Sequence, residues 1–178
     1  TGRYAVRTGA VQSAGMTLWE VTLAEALKPL GYSTALYGKW HLGGYDWIGK
    51  REPTNQGFDE WFGIPLSSNE AQGSTDHDHA INADPFIWEG KAGEPAHKVR
   101  PFNVETRPLL DRESSERSIA FMERNVREKK PFFLYYPVTQ IHFPALPHPE
   151  FAGKPGAGDI GDAMAEMDYN LRRVLDAI

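Results

Sequence analysis

"GYSTALYGKWHLGG", residues 31–44, decides the fold. Its first part is a short apolar run, Tyr32 to Tyr37, separated by one glycine from a helical pattern. A helix that hands over to a strand through a single glycine is an α/β unit. Its second part brings Lys39, Trp40 and His41 together between glycines. A cation and an imidazole two residues apart at the end of a strand call for a chemical reason.

Upstream, "TLWEVTLAEALKPLG" predicts the helix. Thr17 and Glu20 have capping-box spacing, which would satisfy free amide donors at the helix start. Leu18, Val21, Ala24, Leu27 and Leu30 recur at helical spacing as a buried face. Pro29 disturbs the last turn, and Gly31 suits a left-handed C-terminal position. A second helix–strand unit follows later. "RESSERSIAFMERNVREKK" places Ile119, Met122 and Val126 on one face and ends in Lys129 and Lys130, cations at a helix C-terminus. Pro131 stops it. "PFFLYYPV", residues 131–138, is a nearly continuous apolar run of the kind buried on both faces of a parallel sheet. It leads into "TQIHFPALPHPE". Ile160, Met164, Met167, Leu171, Val174 and Ile178 define a final amphipathic helix. The stretch from about Gly43 to Pro108 is loop-rich, with a hairpin expected in "FIWEGKAGEPAHKV", turning near Gly90. The recurrence of helix, strand and loop predicts an α/β class, with functional groups at the C-terminal edge of the strands.

The 178 residues are 40% hydrophobic, enough for one domain with a sizeable core. A net charge of -5 provides no basic field, which argues against general nucleic-acid or anionic-membrane affinity. There is no cysteine, hence neither a disulfide framework nor a thiolate metal site. No apolar run approaches the roughly 20 residues that span a bilayer. The sequence starts at Thr1 without an initiator Met, and its last helical pattern reaches Ile178 without a cap. The expectation is an internal piece of a longer protein.

Lys39 and His41 follow the first strand, and His142 follows the second. In an open parallel sheet such strand ends converge on one crevice, where these three groups would form a cationic, proton-transferring pocket. A Lys offers a point charge to an anion, and a His offers a donor or a proton near neutral pH. Together they suit an oxyanion ester such as a sulfate or phosphate, whose transition state develops charge on oxygen. Spacing alone leaves a second reading open: a snorkelling Lys and a surface His beside a packed Trp, with His142 an ordinary loop residue. "DHDH", Asp76 to His79, offers metal-ligand types, but its polar, Gly/Ser/Thr/Asn-rich setting reads equally as solvation. His97 and His148 lie near prolines and are read as loop residues. Arg3 and Arg7 suit either anions or carboxylate and carbonyl partners.

The same residues carry a resemblance to the sulfatases. "GYSTALYGKWHLG" resembles that family's second signature, and its Gly-Lys-Trp-His-Leu-Gly core is the specific part. "TGRYAVRTG" resembles the segment after the first signature. "QGFDEWFGIPLSSN" resembles the segment leading to an active-site Ser, "PFFLYYPVTQIHFP" the strand and loop carrying a second active-site His, and "DAMAEMDYNLRRVLDAI" the helix before the last metal-ligand strand. The matches run in the family's order over nearly the whole chain, and the arylsulfatase and N-acetylgalactosamine-6-sulfatase types are nearest in pattern.

The resemblance implies an alkaline-phosphatase-like α/β/α sandwich, incomplete over residues 1–178. It implies sulfuric ester hydrolysis by a formylglycine nucleophile with a divalent cation, usually calcium. Lys39 matches the Lys on the sulfate oxygens and His41 the His beside the aldehyde hydrate. Ser67 matches the polar Ser near the sulfate, and His142 the His that protonates the leaving group. The nucleophile motif would precede Thr1; the remaining metal ligands would lie before Thr1 and after Ile178. The 178 residues alone are therefore expected to be a partial catalytic domain without activity and without metal ligands. Sulfated small molecules or sulfated glycans are the expected partners, with an exported setting: periplasmic, extracellular or lysosomal. Two alternatives use the same pocket. One is a phosphodiesterase or phosphonate monoester hydrolase on this fold. The other is a non-catalytic homologue that binds sulfated glycans.

Overall fold

Strand β1, Ser33–Lys39, carries the alternation that sorts the molecule into layers. The computed structural model describes residues 1–10, 15–44, 49–73 and 85–178. Along β1, Ala35 and Tyr37 enter one core cluster while Leu36 enters another, which Trp40 joins just past the strand. Successive side chains of a strand point to opposite faces, so both faces of the sheet are covered. Strands β2, Glu60–Ile64, and β5, Phe132–Tyr135, flank β1 and run parallel to it. Strands β3, Phe86–Lys91, and β4, His97–Pro101, continue the sheet beyond β2 as an antiparallel hairpin, giving the order β4-β3-β2-β1-β5.

The described residues also hold four α-helices, α1, Ala5–Thr8; α2, Leu23–Leu27; α3, Arg107–Arg127; and α4, Gly158–Asp176, besides three short 3-10 turns. Leu110, Phe121 and Met122 of α3 and Val174 of α4 pack with Ala35, Tyr37, Phe62 and Ile64 on one face. Ala24 of α2 packs with Leu36, Trp40, Phe58 and Trp61 on the other. The result is the expected α/β/α layering. Full burial of a side chain such as Phe62 or Ile64 contributes roughly 1.5–3 kcal/mol.

Several local expectations shift. Helix α2 starts five residues later than Thr17 suggests, because two Thr-x-x-Glu spacings compete. Thr22 and Glu25 form the capping box, with Glu25 N donating to Thr22 Oγ1 at 3.0 Å and Thr22 N to Glu25 Oε2 at 2.8 Å. Thr22 wins because its hydroxyl also donates to Gln56 O at 2.7 Å, whereas Glu20 turns to Arg3 at 2.8 Å. Leu18, Val21 and Leu30 are consequently exposed. Gly31 does take the left-handed conformation, with φ +84°.

Helix α3 begins at Arg107, and its buried stripe is Ser114, Ser115, Ser118, Phe121, Met122 and Asn125; Val126 is exposed. In α4 the expected stripe is largely turned outward. Asp162, Ala163, Glu166, Asn170 and Val174 are buried, while Ile160, Met164 and Ile178 are exposed. Burial of the polar stripe is compensated by hydrogen bonds from residues distant in sequence. The apolar run of β5 packs into both clusters through Phe132, Leu134 and Phe133, yet it is only partly buried, because β5 is an edge of the sheet among the described residues. The hairpin turns after Lys91 rather than at Gly90, which lies inside β3. Among the described residues no helix is long and apolar enough to cross a membrane.

One contact fixes the end of β1. Gly38 has φ +131° and pairs with Gly63, φ +151°, across the β1–β2 ladder. A Cβ on Gly38 would stand 2.1 Å from the Pro137 carbonyl oxygen, and one on Gly63 would stand 1.8 Å from the Gly38 carbonyl oxygen. The next amide, Lys39 N, donates to that same Pro137 oxygen at 3.1 Å. Only glycine permits this approach. Gly38→Ala is expected to destabilise the protein by about 3 kcal/mol or more, through backbone strain plus overlap with an immovable carbonyl. Chemical denaturation of the parent and variant checks this; a loss below about 1 kcal/mol would mean that the three segments are free to separate.

Candidate active site

Three adjacent parallel strands deliver three polar side chains to one edge. Lys39 is the last residue of β1. Ser67 lies three residues past β2, after Pro65 and Leu66. His142 lies on the loop that follows β5. Since β2, β1 and β5 point the same way, their C-terminal ends meet, and the side chains touch. Lys39 Nζ donates to Ser67 Oγ at 3.3 Å, and Ser67 Oγ lies 3.0 Å from His142 Nε2. The ring's other nitrogen, Nδ1, is 2.8 Å from the Phe143 carbonyl oxygen. A carbonyl only accepts, so Nδ1 carries hydrogen. In the neutral ring Nε2 is then the acceptor, and Ser67 Oγ donates to it. The chain of donors therefore runs Lys39, Ser67, His142, Phe143 O.

His41 stands beside this chain. Its amide donates to Pro65 O at 2.8 Å, and its backbone lies in the left-handed region with φ +54°. Ile141, next to His142, is also left-handed, with φ +62°. Non-glycine residues held in this region cluster at functional sites. Burial, then the charges of Lys39 and His142, hold the His41 ring below the usual histidine range. At neutral pH it is uncharged and able to accept a proton. Burial also lowers Lys39, against the opposing pull of Glu70. The two loops are tied directly, because Ser68 Oγ donates to Thr139 O at 3.3 Å.

Glu70 escaped the sequence reading. Its carboxylate accepts from the Ser67 amide at 3.3 Å and faces Lys39 electrostatically. The signal was present, since Ser67-x-x-Glu70 has capping-box spacing. Arg3 takes the carboxylate option, pairing with the buried Glu20. His97 opens the exposed strand β4, and His148 donates its amide to Glu166 at 2.7 Å. Asp76 to His79 lie outside the described residues. Among the described residues no three His, Cys, Asp or Glu side chains stand together as a metal-binding group. These residues do not, by themselves, fit a calcium ion. What they form is a cation, a hydroxyl and an imidazole in one hydrogen-bonded chain, with His41 near enough to feel the charges of Lys39 and His142, an arrangement chemically suited to a tetrahedral oxyanion and to proton transfer beside it.

Comparison with known proteins gives the same direction. The Sulfatase family model matches residues 1–178. Human arylsulfatase A is 34% identical over 194 residues, covering 100% of this chain and 37% of that protein. An N-acetylgalactosamine-6-O-sulfatase from Bacteroides thetaiotaomicron is 28% identical, covering 89% of this chain and 39% of that protein. The crystal structure of the PsFucS1 sulfatase from Pseudoalteromonas sp. superposes with a TM-score of 0.82 at 25% identity, covering 99% of this chain and 40% of that one. The chain thus spans less than half the length of the relatives it matches.

Glu70 gives the site a pH signature. Burial raises its carboxyl to about 7, against the opposing effects of the Ser67 amide and Lys39. Between the ordinary carboxylate range and about 7 the folded protein holds a proton that the unfolded chain has released. The stability this confers is full in acid and is lost as pH rises through about 7. Glu70→Gln in the full-length protein should therefore lessen the fall in Tm between pH 5 and pH 7.5. Thermal melts across that range check the sign; an unchanged or steeper fall would contradict it.

Proposed function

The chain belongs to the sulfatase family, and from that premise we propose that it forms the part of a sulfatase catalytic domain that grips a sulfate ester and protonates its leaving group. The observation that carries this reading is the hydrogen-bonded chain from Lys39 through Ser67 to His142. On this reading Lys39 Nζ donates to the non-bridging sulfate oxygens, where negative charge is concentrated. Its partial burial strengthens that attraction relative to water. Ser67, whose amide donates to Glu70 in the turn after β2, supplies a second polar contact through Oγ. His142 Nε2 faces the ester oxygen. As the sulfur–oxygen bond breaks, a protonated His142 gives that oxygen the proton it needs to leave as an alcohol or phenol. His41, uncharged at neutral pH and near enough to feel the charges of Lys39 and His142, serves as the proton acceptor.

The nucleophile and a further positive charge would come from a formylglycine residue, made from Cys or Ser, and a calcium ion, both held by segments other than residues 1–178, in which no Cys/Ser-x-Pro-x-Arg stretch occurs. The exposed apolar residues of two regions support this partial-domain reading. Leu18, Trp19 and Val21 precede α2, whose first residue Leu23 is also exposed, and Ile160, Met164 and Leu175 lie on α4, with Ile178 just beyond it. Large apolar side chains left exposed in numbers along one segment are expected where a surface packs against something. The proposed substrate class is a sulfate monoester of a small molecule or glycan, in keeping with the arylsulfatase and N-acetylgalactosamine-6-O-sulfatase relatives. An exported setting accompanies it.

The test is a paired assay of the full-length protein on aryl sulfates and on the matching phosphonate monoesters and phosphodiesters. Sulfate hydrolysis should be the faster activity; faster phosphoryl chemistry would overturn the substrate class, and no hydrolysis of either would favour a binding role. Within the same assay, His142→Ala should lose more rate on poor leaving groups than on activated ones, because a stable leaving anion has less need of a proton. Equal losses on both would remove His142 from proton donation.

A further inference from the structure

Residues 139–148 carry His142, yet none of them lies in a helix or strand. The backbone at Ile141 is also in the left-handed region. Something other than a ladder must hold this loop, and the holding groups converge from two helices. From α3, Asp111 Oδ1 accepts from Thr139 N at 2.7 Å and Asp111 Oδ2 accepts from Thr139 Oγ1 at 2.5 Å. From α4, Glu166 Oε2 accepts from Gln140 Nε2 at 2.5 Å and from His148 N at 2.7 Å. Between them Arg107, at the first turn of α3, donates through Nη2 to the His142 carbonyl at 2.9 Å and through Nη1 to the Leu146 carbonyl at 3.4 Å. Arg107 and Glu166 have no exposed surface, and Asp111 is 1% exposed.

This is a costly way to stabilise a fold. Burying a guanidinium with two carboxyls incurs desolvation that well-packed apolar side chains would avoid. Burial raises both Asp111 and Glu166 and lowers Arg107, so the charged form of each group is disfavoured relative to water. Arg107 Nε adds a buried donor without a hydrogen-bond partner among the described residues. What the cluster does supply is geometry. Its bonds fall at both ends of one ten-residue loop and on the carbonyl of His142 itself.

We propose that Arg107 is a positioning residue for catalysis: its fork on the His142 and Leu146 carbonyls, within a loop whose ends are held by Asp111 and Glu166, keeps the imidazole beside Ser67, where Nε2 can meet the ester oxygen. The proposal rests on the sulfate-ester reading of His142. Displacing a reacting group by about 1 Å can cost on the order of 100-fold. Lys in place of Arg107 keeps the buried cation but not the planar fork, so it can reach one carbonyl well and not both.

The test is a double-mutant cycle in the full-length protein, with Arg107→Lys and His142→Ala alone and combined. The readouts are kcat and KM on a poor and on an activated aryl sulfate. Arg107→Lys should lower kcat on the poor leaving group about 10- to 100-fold, with a smaller loss on the activated one and little change in KM. In the His142→Ala background it should cost almost nothing more, because its effect acts through the imidazole. Equal fold-losses in both backgrounds would overturn the proposal and leave Arg107 a structural residue. A crystal structure of the full-length Arg107→Lys variant gives a readout that needs no turnover. If the parent hydrolyses no sulfate ester, the function reading fails by itself and this structure decides the positioning claim. His142 Nε2 moved out of hydrogen-bond reach of Ser67 Oγ supports it, and the 3.0 Å contact retained overturns it.

Discussion

The site depends on how closely three backbone segments approach at Gly38. Its missing side chain leaves room for the Pro137 carbonyl on one flank, and the missing side chain of Gly63 leaves room for the Gly38 carbonyl on the other. With β1 between β2 and β5 and all three running the same way, that closeness is passed to whatever follows each strand. Lys39, Ser67 and His142 follow them, and so they lie within hydrogen-bond distance although 75 residues of chain separate Ser67 from His142. A side chain at either glycine would spread the strand ends, and the polar groups would face separate patches of solvent.

The electrostatics follow from this convergence. A lysine and two imidazoles brought together repel one another, which lowers His41 in addition to the effect of its burial. Glu70 is the nearby carboxyl that moderates Lys39, and its own burial raises it to about 7, so that near neutral pH it is only partly ionised. Part of the positive charge at Lys39 is then left unbalanced, which suits a tetrahedral oxyanion. Both layers of helix take part: α2 backs the face that holds Trp40, while α3 and α4 hold the loop that presents His142.

Much of this was legible where the signal was local. Gly31, the apolar run to Tyr37 and the Gly-Lys-Trp-His punctuation placed β1 and its polar end, because a strand end marked by glycines announces itself within a few residues. The run Pro131 to Val138 placed β5 for the same reason. The start of α2 was not legible. Thr17–Glu20 and Thr22–Glu25 have identical spacing, and the choice was made by Gln56 and Arg3, both distant in sequence. The buried face of α4 was misread because Glu166 and Asn170 look like solvent residues until Gln140, His148 and Ser115 come to meet them. Glu70 could have been found from its spacing to Ser67. Arg107 could not, since its partners are carbonyls 35 and 39 residues further on, and a backbone carbonyl leaves no trace in a sequence pattern.

The central claim is that the lysine ending β1 is the cation that meets sulfate. Lys39→Ala in the full-length protein addresses it most directly. Comparison with the loss of one oxyanion donor gives an expected fall in kcat/KM on an aryl sulfate on the order of 100-fold or more. The variant should keep the parent's melting temperature, as expected for a partly exposed side chain outside the core. A near-normal kcat/KM in a folded Lys39→Ala protein would contradict the account and remove the cation from the reaction.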